Sequence, residues 1–337
     1  MINEVALHND YQFLVEQTTE QSDSKNPCTI EAIFIPFRKH NGNVNELLRL
    51  LTFYKGTIYL MPSDEEDMNH LSWDNCLKVI PLLINDRPFL SFFNSLLTTN
   101  NKYYRHITWD LPLKRNYALY FSRANNYSKI LLIDDDIRHI DMDVLNVGSK
   151  CLYKYVLSGC FVNDFPDLSV ICHLEKLAGE NIIPFLSGSF LFINTYSAYS
   201  FFPKIYNEDW LFMMPHIINK SICSFGSIKQ LPYDPFENPY KAEFQEFGDI
   251  IAEGLYALLS TNRYEVRFKK EIWEHIINER RETLLCLKNK FRDLKIQNVL
   301  ESAIVTNKNI SHKDCINFLS DLEKDQYTWN SFVKEIS

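Results

Sequence analysis

Glycine is scarce in this sequence, with 9 residues among 337. A glycine-rich loop that cradles phosphate groups is therefore not expected, and linker-like or collagen-like structures are excluded because both need frequent glycine. The eight cysteines are scattered, and no two of them form a C-x-x-C pair. In a chain of this length they indicate reduced thiols rather than a disulfide framework or a zinc site.

Basic residues and long apolar runs are also in short supply. Lys and Arg total 35 against 43 Asp and Glu, which gives a formal net charge of -8 with His neutral. This balance argues against general nucleic-acid binding, since neutralising phosphates requires a basic surface. No apolar run approaches the roughly 20 residues that span a bilayer, and charged residues interrupt the N-terminus before a signal-peptide core could form. We therefore expect a cytoplasmic protein without a membrane span.

Short apolar runs alternate with helical patterns through the first half of the chain. Strands are predicted at 29–37, 57–61, 77–83, 128–133 and 185–194, and helices at 45–54 and 113–124. This alternation predicts an α/β fold with a parallel sheet covered by helices. In such sheets ligands bind beyond the carboxyl ends of the strands.

The character of the sequence changes at about residue 264. From there apolar residues recur at helical spacing, which predicts two or more amphipathic helices. We divide the chain into a lead-in at 1–27, an α/β domain at 28–263 and a helical region at 264–337. The apolar stripe of these helices would otherwise face water, so we expect it to pack on the α/β domain or to form a homo-oligomer contact.

Three adjacent carboxylates, Asp134, Asp135 and Asp136, directly follow the apolar run 128–133. They repel one another, and their desolvation is costly unless a cation or hydrogen-bond donors compensate. Side chains alternate along a strand, so Asp134 and Asp136 should point to the same side. Carboxylate oxygens that converge in this way suit Mg²⁺ or Mn²⁺. A solvated acidic turn is the alternative interpretation.

A strand followed by acidic residues resembles the D-x-D region of GT-A glycosyltransferases, particularly the family 2-like group. Three more segments agree with that family in order and spacing: KRNYAL at 114–119 is similar to its R-N-x-A segment, LSGSF at 186–190 to its acceptor-side strand, and YNEDW at 206–210 to its E-D motif. The resemblance covers about residues 29–262. It implies a GT-A fold, which is Rossmann-like with a mostly parallel central sheet flanked by helices, here with a C-terminal helical extension.

The resemblance also implies a nucleotide-sugar donor, with a UDP-sugar as the expected kind, and a Mn²⁺ or Mg²⁺ cofactor. It assigns the metal to Asp134 and Asp136, with Asp134 or Asp135 also turned toward the ribose. The other positions expected to bind the donor are Pro36, Phe37, Arg38, Ser63, Lys114, Arg115, Asn116, Ser187 and Gly188. The Phe37 ring could stack on the base or belong to the core. The Lys114–Arg115 pair could place a cation near the nucleotide or lie on a solvated helix face.

In inverting members of the family, the E-D motif supplies the catalytic base. Inverting transfer needs a base that removes a proton from the acceptor on the far side of the anomeric carbon. The resemblance assigns this role to Asp209, with Glu208 beside it to bind acceptor hydroxyls. The pair could instead mark a helix N-terminus, where carboxylates are favoured. If Asp209 is not a base, a retaining mechanism is the alternative.

The function predicted from the sequence is thus a metal-dependent glycosyltransferase that acts on an unidentified soluble acceptor. A sugar-phosphate nucleotidyltransferase would need a glycine-rich loop after the first strand, where Pro36, Phe37 and Arg38 stand instead. A haloacid-type phosphatase expects Thr or Val at the position of Arg138. A degenerate fold that only binds nucleotide-sugars is disfavoured by the intact acidic triplet and by the Glu208–Asp209 pair.

Overall fold

A computed structural model of the chain describes residues 7, 10–19, 30–38, 43–69, 71–105, 107–163, 165 and 168–336. Within these ranges the strands are β1 Glu16–Gln17, β2 Ala32–Pro36, β3 Thr57–Met61, β4 Lys78–Pro81, β5 Lys129–Ile133, β6 Ile137–Arg138, β7 Leu157–Asn163, β8 Leu186–Asn194 and β9 Ile222–Gln230. The helices are α1 Asn43–Leu50, α2 Arg87–Ser95, α3 Leu111–Ala124, α4 Met142–Cys151, α5 Val170–Leu177, α6 Glu208–Ile218, α7 Tyr240–Ser260, α8 Lys270–Lys290, α9 Leu294–Asn309 and α10 His312–Lys334.

The strands form one sheet in the order β1-β9-β7-β8-β5-β2-β3-β4, with β6 paired to β9. The pairs β2–β3, β2–β5, β3–β4, β7–β9 and β1–β9 are parallel, whereas β8 runs antiparallel to β5 and β7. The predicted α/β architecture with a mostly parallel sheet is therefore confirmed. Since β2, β3 and β5 run in the same direction, their carboxyl ends lie at one edge of the sheet.

Both faces of the sheet are buried, which explains why its strands are continuous apolar runs. Alternate residues of β2 enter different cores, with Phe34 on one side and Ile33 and Ile35 on the other. All three side chains are fully buried. The strand predicted at 57–61 has the observed bounds of β3, and the strand predicted at 128–133 differs from β5 by one residue.

The C-terminal helices pack against the α/β part. Apolar residues of α8 and α9, including Leu284 and Leu300, form a cluster with Val170 of α5 and Ala242 of α7. In α10, Asp325 accepts hydrogen bonds from the backbone N–H groups of Leu97 and Thr98, at 2.8 and 2.7 Å. The prediction of two or more amphipathic helices after residue 264 is confirmed. None of the helices in the described ranges combines the length and the apolarity that a membrane crossing requires.

The described residues of the lead-in join the sheet and the core. The two residues of β1 pair with β9, and Tyr11 and Val15 are buried in the core. Residues 20–27, most of the polar stretch for which we expected a loose conformation, lie outside the described residues.

Candidate active site

A cleft of about 360 Å³ opens beyond the carboxyl end of β5. This volume lies within the range of small-molecule sites. Its lining comes from the segment before α3, from α3 itself, from the residues after β5, and from β8, α6, the end of β9 and α7. The lining residues are Trp109, Leu111, Arg115, Asp134, Asp136, Ser187, Tyr206, Asn207, Glu208, Asp209, Trp210, Gln230, Tyr233, Lys241, Phe244 and Gln245.

The acidic triplet divides as side-chain alternation predicts. Asp134 and Asp136 line the cleft, whereas Asp135 does not. The Asp134 N–H donates to the carbonyl of Ser189 at 2.9 Å, so the backbone of the first aspartate is fixed to β8. The Asp135 carbonyl accepts from Nη1 of Arg138 at 2.9 Å. Asp134 and Asp136 are therefore placed to contact a bound substrate, and Asp135 is not.

The second acidic pair lies in the first turn of α6. Asn207 precedes the helix in the left-handed conformation, with φ 63° and ψ 34°, which Asn tolerates better than most residues. This conformation ends the incoming loop and starts the helix at Glu208. The interpretation of the Glu208–Asp209 pair as a helix start is confirmed, and both residues also line the cleft.

Arg115 joins the two acidic segments. Its Nη2 lies 3.1 Å from both carboxylate oxygens of Asp134, and its Nη1 donates to Oε1 of Glu208 at 2.7 Å. The Arg115 side chain is only 3% exposed. Charge-assisted pairs of this kind are strong and geometrically specific. Arg115 therefore fixes the end of β5 relative to the start of α6.

Burial and charge act in opposition at this cluster. Burial disfavours the charge of Arg115, but Asp134, Glu208 and Asp209 outweigh it and raise the pKa of the guanidinium. Burial raises the pKa of Glu208 well above its ordinary value, and Arg115 only partly opposes this shift. The pKa of Asp134 is raised by burial in the same way, against the attraction of Arg115. Arg115 is thus a permanent cation among carboxylates.

Two backbone N–H groups hold the carboxylate of Asp209. Gly188 of β8 donates to Oδ2 at 2.6 Å, and Trp210 donates to Oδ1 at 2.9 Å. Each carboxylate oxygen still has a second lone pair that can accept a proton or a hydrogen bond. The carboxylate therefore has a fixed orientation in the cleft. Ser187, just before Gly188, is buried and also lines the cleft.

Lys114 lies next to Arg115 but points elsewhere, because successive helical residues are rotated by about 100°. Its Nζ donates to the Phe37 carbonyl at 2.7 Å and to Oγ of Ser63 at 2.8 Å, and it lies 3.0 Å from Oδ2 of Asp110. Burial lowers the pKa of Lys114, and Asp110 opposes this effect. Lys114 thus ties α3 to the ends of β2 and β3, and the solvated-face interpretation of the pair is wrong.

Other predicted donor-binding residues lie outside the cleft lining. The fully buried amide of Asn116 exchanges hydrogen bonds with the backbone of Phe202, at 2.7 and 2.9 Å, and so joins α3 to the segment before α6. The Phe37 ring is buried in a core cluster, which corrects the idea that it stacks on a base. Pro36 is buried at the end of β2, and exposed Arg38 donates to the Thr108 carbonyl at 3.2 Å.

Several lining residues were not predicted from the sequence. Gln230 ends β9, and its Nε2 donates to Oδ2 of Asp136 at 2.9 Å. Aromatic walls come from Trp109, Tyr206, Tyr233 and Phe244, and Lys241 lies over the Tyr233 ring at 4.1 Å. No sequence pattern singled out Gln230, because the residues before it, ICSFGSIK, mix apolar residues with serine and glycine. The aromatic residues could not be distinguished from core residues by type alone.

A divalent cation in this cleft would need ligands from the substrate as well as from the protein. In the described part of the chain, no three His, Cys, Asp or Glu side chains converge as a metal site. The Asp134 carboxylate is paired with the guanidinium of Arg115, whereas the Asp136 carboxylate accepts a hydrogen bond from the neutral amide of Gln230. Mg²⁺ is commonly held by one or two carboxylates together with substrate phosphates. Asp136 fits that role better than Asp134 does.

Comparisons with known proteins give structural likeness only. No protein-family model matches the sequence, and no curated protein matches it. Mannosyl-3-phosphoglycerate synthase from Rubrobacter xylanophilus has 12% identity and a TM-score of 0.39, covering 69% of this chain and 75% of that one. A nucleotide-diphospho-sugar transferase described as putative, from Desulfovibrio desulfuricans, has 7% identity and a TM-score of 0.35, covering 79% of this chain and 100% of that one.

A third similar structure is mouse xyloside xylosyltransferase 1, with 9% identity and a TM-score of 0.29, covering 57% of this chain and 74% of that one. By their descriptions the first of the three is a synthase and the other two are transferases. At these identities and TM-scores the likenesses carry no information about substrate. What bears on function is the chemistry of the cleft.

Proposed function

We propose that this chain is a glycosyltransferase that moves a sugar from a nucleotide diphosphate donor, such as a UDP-sugar, to a soluble acceptor. One observation carries the proposal. Arg115 joins the carboxylates after β5 to the pair at the start of α6, so that a candidate metal ligand, Asp136, and a candidate base, Asp209, line the same cleft. Metal-dependent transfer with inversion uses these two functions in one site.

The donor's diphosphate is assigned to the side of the cleft that Asp136 lines. When bound there by Asp136 and phosphate oxygens, Mn²⁺ or Mg²⁺ would neutralise charge that develops on the leaving nucleotide. Arg115 contributes a second, permanent positive charge at the same wall. Asp134 supports it, because its carboxylate holds the guanidinium in place.

Asp209 is the proposed base. It accepts the proton of the acceptor hydroxyl while the hydroxyl oxygen attacks the anomeric carbon and the nucleotide diphosphate leaves with the bond electrons. The N–H groups of Gly188 and Trp210 fix the direction in which the carboxylate faces. Attack from the side opposite the leaving group inverts the configuration.

Glu208 is less suited to proton abstraction. Its side chain is 5% exposed, and its Oε1 already accepts from Arg115. Burial raises its pKa, and Arg115 opposes that shift. We assign Glu208 to holding Arg115 and the first turn of α6, which differs from the acceptor-binding role expected from the sequence.

The test is to incubate the protein with a panel of nucleotide-sugars, with Mn²⁺, with Mg²⁺ and with a chelator, and to follow nucleotide release and sugar transfer. Release of nucleoside diphosphate with sugar transferred to an acceptor supports the proposal, and the anomeric configuration of the product separates inversion from retention. Pyrophosphate chemistry would indicate a nucleotidyltransferase and free phosphate a phosphatase. Donor binding without turnover would indicate a binding module.

A further inference from the structure

Helix α7 holds the start of α6 at three points. The backbone at Gly248 packs so closely that a Cβ there would lie 2.3 Å from the Tyr206 carbonyl oxygen. The Asn207 Nδ2 donates to Oδ1 of Asp249 at 3.0 Å. Beyond Asp209, the Tyr256 hydroxyl donates to the Trp210 carbonyl at 2.9 Å. The residues that flank the proposed base on both sides are thus fixed by one helix.

That helix is fixed in turn by a buried arginine of α8. The Nη2 of Arg280 lies 2.5 Å from Oδ2 of Asp249 and 3.2 Å from Oε2 of Glu246, and its Nη1 lies 3.3 Å from Oε2 of Glu253. The four side chains are between 0 and 5% exposed. The two oxygens of Asp249 therefore have different partners, Arg280 on one and Asn207 on the other.

We propose that Arg280 is a positioning residue for the transfer reaction, acting through Asp249 and Asn207 on Asp209. The inference rests on the proposed role of Asp209 as base. The connection runs from the guanidinium to the Asp249 carboxylate, then to the Asn207 amide, and then along two peptide units to Asp209. Through it, a residue of the C-terminal helices fixes a group in the cleft.

The geometry indicates that this cluster positions the start of α6 in addition to stabilising the fold. Buried ion pairs can often be replaced by apolar packing without loss of stability, so a cluster of one cation and three carboxylates is not needed merely to join two helices. Here one carboxylate oxygen is directed to a residue whose left-handed backbone begins the catalytic turn. A displacement of about 1 Å in a reacting group can reduce the rate by roughly 10²-fold.

Replacing Arg280 by an uncharged residue would leave three buried carboxylates uncompensated and could prevent folding. The primary variant is therefore Asn207→Gly. Glycine adopts the left-handed conformation without strain, so the backbone is kept and only the amide that meets Asp249 is lost. The matched control is Arg267→Gln, which breaks a partly exposed ion pair with Glu323 in the C-terminal region, outside the cluster.

Four quantities are measured for the parent and each variant: kcat, donor affinity by calorimetry, melting temperature, and amide hydrogen exchange of residues 208–211. For Asn207→Gly we expect kcat to fall by about 10-fold or more. Exchange at 208–211 should become faster, with donor affinity close to that of the parent. The melting temperature should fall only modestly, since the buried Asp249 loses one hydrogen-bond donor. Arg267→Gln should match the parent in kcat and in exchange.

A double-mutant cycle tests Arg280 itself. Arg280→Lys keeps one positive charge but cannot reach three carboxylates with a fork of donors. It should lower kcat in the parent background and have little further effect once Asn207→Gly has cut the connection. If Arg280→Lys does not fold, Asp249→Asn, which is isosteric, takes its place in the cycle.

Parental kcat and parental exchange in Asn207→Gly would overturn the inference, as would equal losses of kcat and donor affinity, which indicate general disruption. Fully additive effects in the cycle would also overturn it. If the parent transfers no sugar, the proposed function fails, yet the exchange measurement still decides whether Arg280 and Asn207 order the first turn of α6.

Discussion

Gly188 and Arg115 stand so close that a Cβ atom on Gly188 would lie 2.5 Å from Nη1 of Arg115 and 2.8 Å from its Cζ. The same atom would lie 2.8 Å from Cβ of Asp209. Arg115 cannot easily move away, since Asp134 and Glu208 hold its two terminal nitrogens. Glycine is required at this position by the approach of two functional side chains to the β8 backbone.

The first prediction is that Gly188→Ala displaces either Arg115 or Asp209. Overpacking at a buried position costs about 1–3 kcal/mol in stability. Because both neighbours belong to the proposed site, we also expect transfer to fall by roughly 10²-fold. Denaturant unfolding and a transfer assay measure the two effects. The control is Gly226→Asn, since exposed Gly226 has φ 62° and no atom within 4 Å of an added Cβ. A parental rate in Gly188→Ala would contradict the assigned geometry.

The second prediction concerns the metal and Asp136. The isosteric change Asp136→Asn keeps an oxygen that can accept from Gln230 but removes the negative charge. We expect Mn²⁺-dependent donor binding to weaken by at least about 10-fold, with little change in the fold. Calorimetric titration of a UDP-sugar with Mn²⁺ and with chelator measures this.

The matched control for the metal is Asp143→Asn, an exposed acid in the first turn of α4. It should bind donor as the parent does. If Asp136→Asn binds donor and metal like the parent, Asp136 does not hold the cation, and the assignment of the donor's diphosphate to that wall is wrong.

The third prediction separates binding from chemistry at Asp209. Both oxygens of Asp209 accept hydrogen bonds from backbone N–H groups. Asp209→Asn therefore places an amide NH2 group against one of those donors and also removes the base. Transfer should fall by roughly 10²-fold or more, while donor affinity hardly changes. Product formation and calorimetric donor binding are the two measurements.

Near-parental transfer by Asp209→Asn would favour a retaining mechanism, which needs no base at that place. Loss of donor binding would instead put Asp209 on the donor side of the cleft. Slow hydrolysis of the donor can survive in the variant, because water is a different nucleophile from the acceptor.

The fourth prediction is an unusual dependence of stability on pH. Burial raises the pKa of Glu175 from 4.5 to about 8, with Arg280 opposing the shift and Glu253 and Asp249 adding to it. Burial likewise raises the pKa values of Asp249 and Glu253 to about 7. A carboxyl group whose pKa is higher in the folded state binds protons more tightly there. Stability should therefore fall as pH rises from about 4.5 to about 8.

Denaturant unfolding at several pH values between 5 and 8 measures that dependence. Glu175→Gln removes one of the three groups and should make the decline shallower. Glu282→Gln, an exposed change on α8, should leave it unaltered. A stability that rises through this range in the parent would show that these carboxyl groups are ionised without penalty.

Sequence pattern predicted the parts of the fold that depend on local periodicity. The buried runs of β2, β3 and β5 and the helix α3 were recognisable because both sheet faces are covered and α3 has a repeating apolar side. The strands β7 and β9 were missed. Their residues LSGCFVN and ICSFGSIKQ contain glycine and serine, and these residues weaken the strand pattern where the ladder shifts register or bulges.

The sequence by itself determined which chemical groups were available: three carboxylates at the end of a buried strand, a Lys-Arg pair on a helix, and an acidic pair that also begins a helix. It could not decide which of them meet. Only the tertiary structure placed Arg115 between Asp134 and Glu208 and buried Asn116 and Phe37 in the core. It also linked Arg280 to Asn207 through the carboxylate of Asp249. The physical reason is that hydrogen-bond partners separated by 19 to 93 residues leave no periodic trace in the chain.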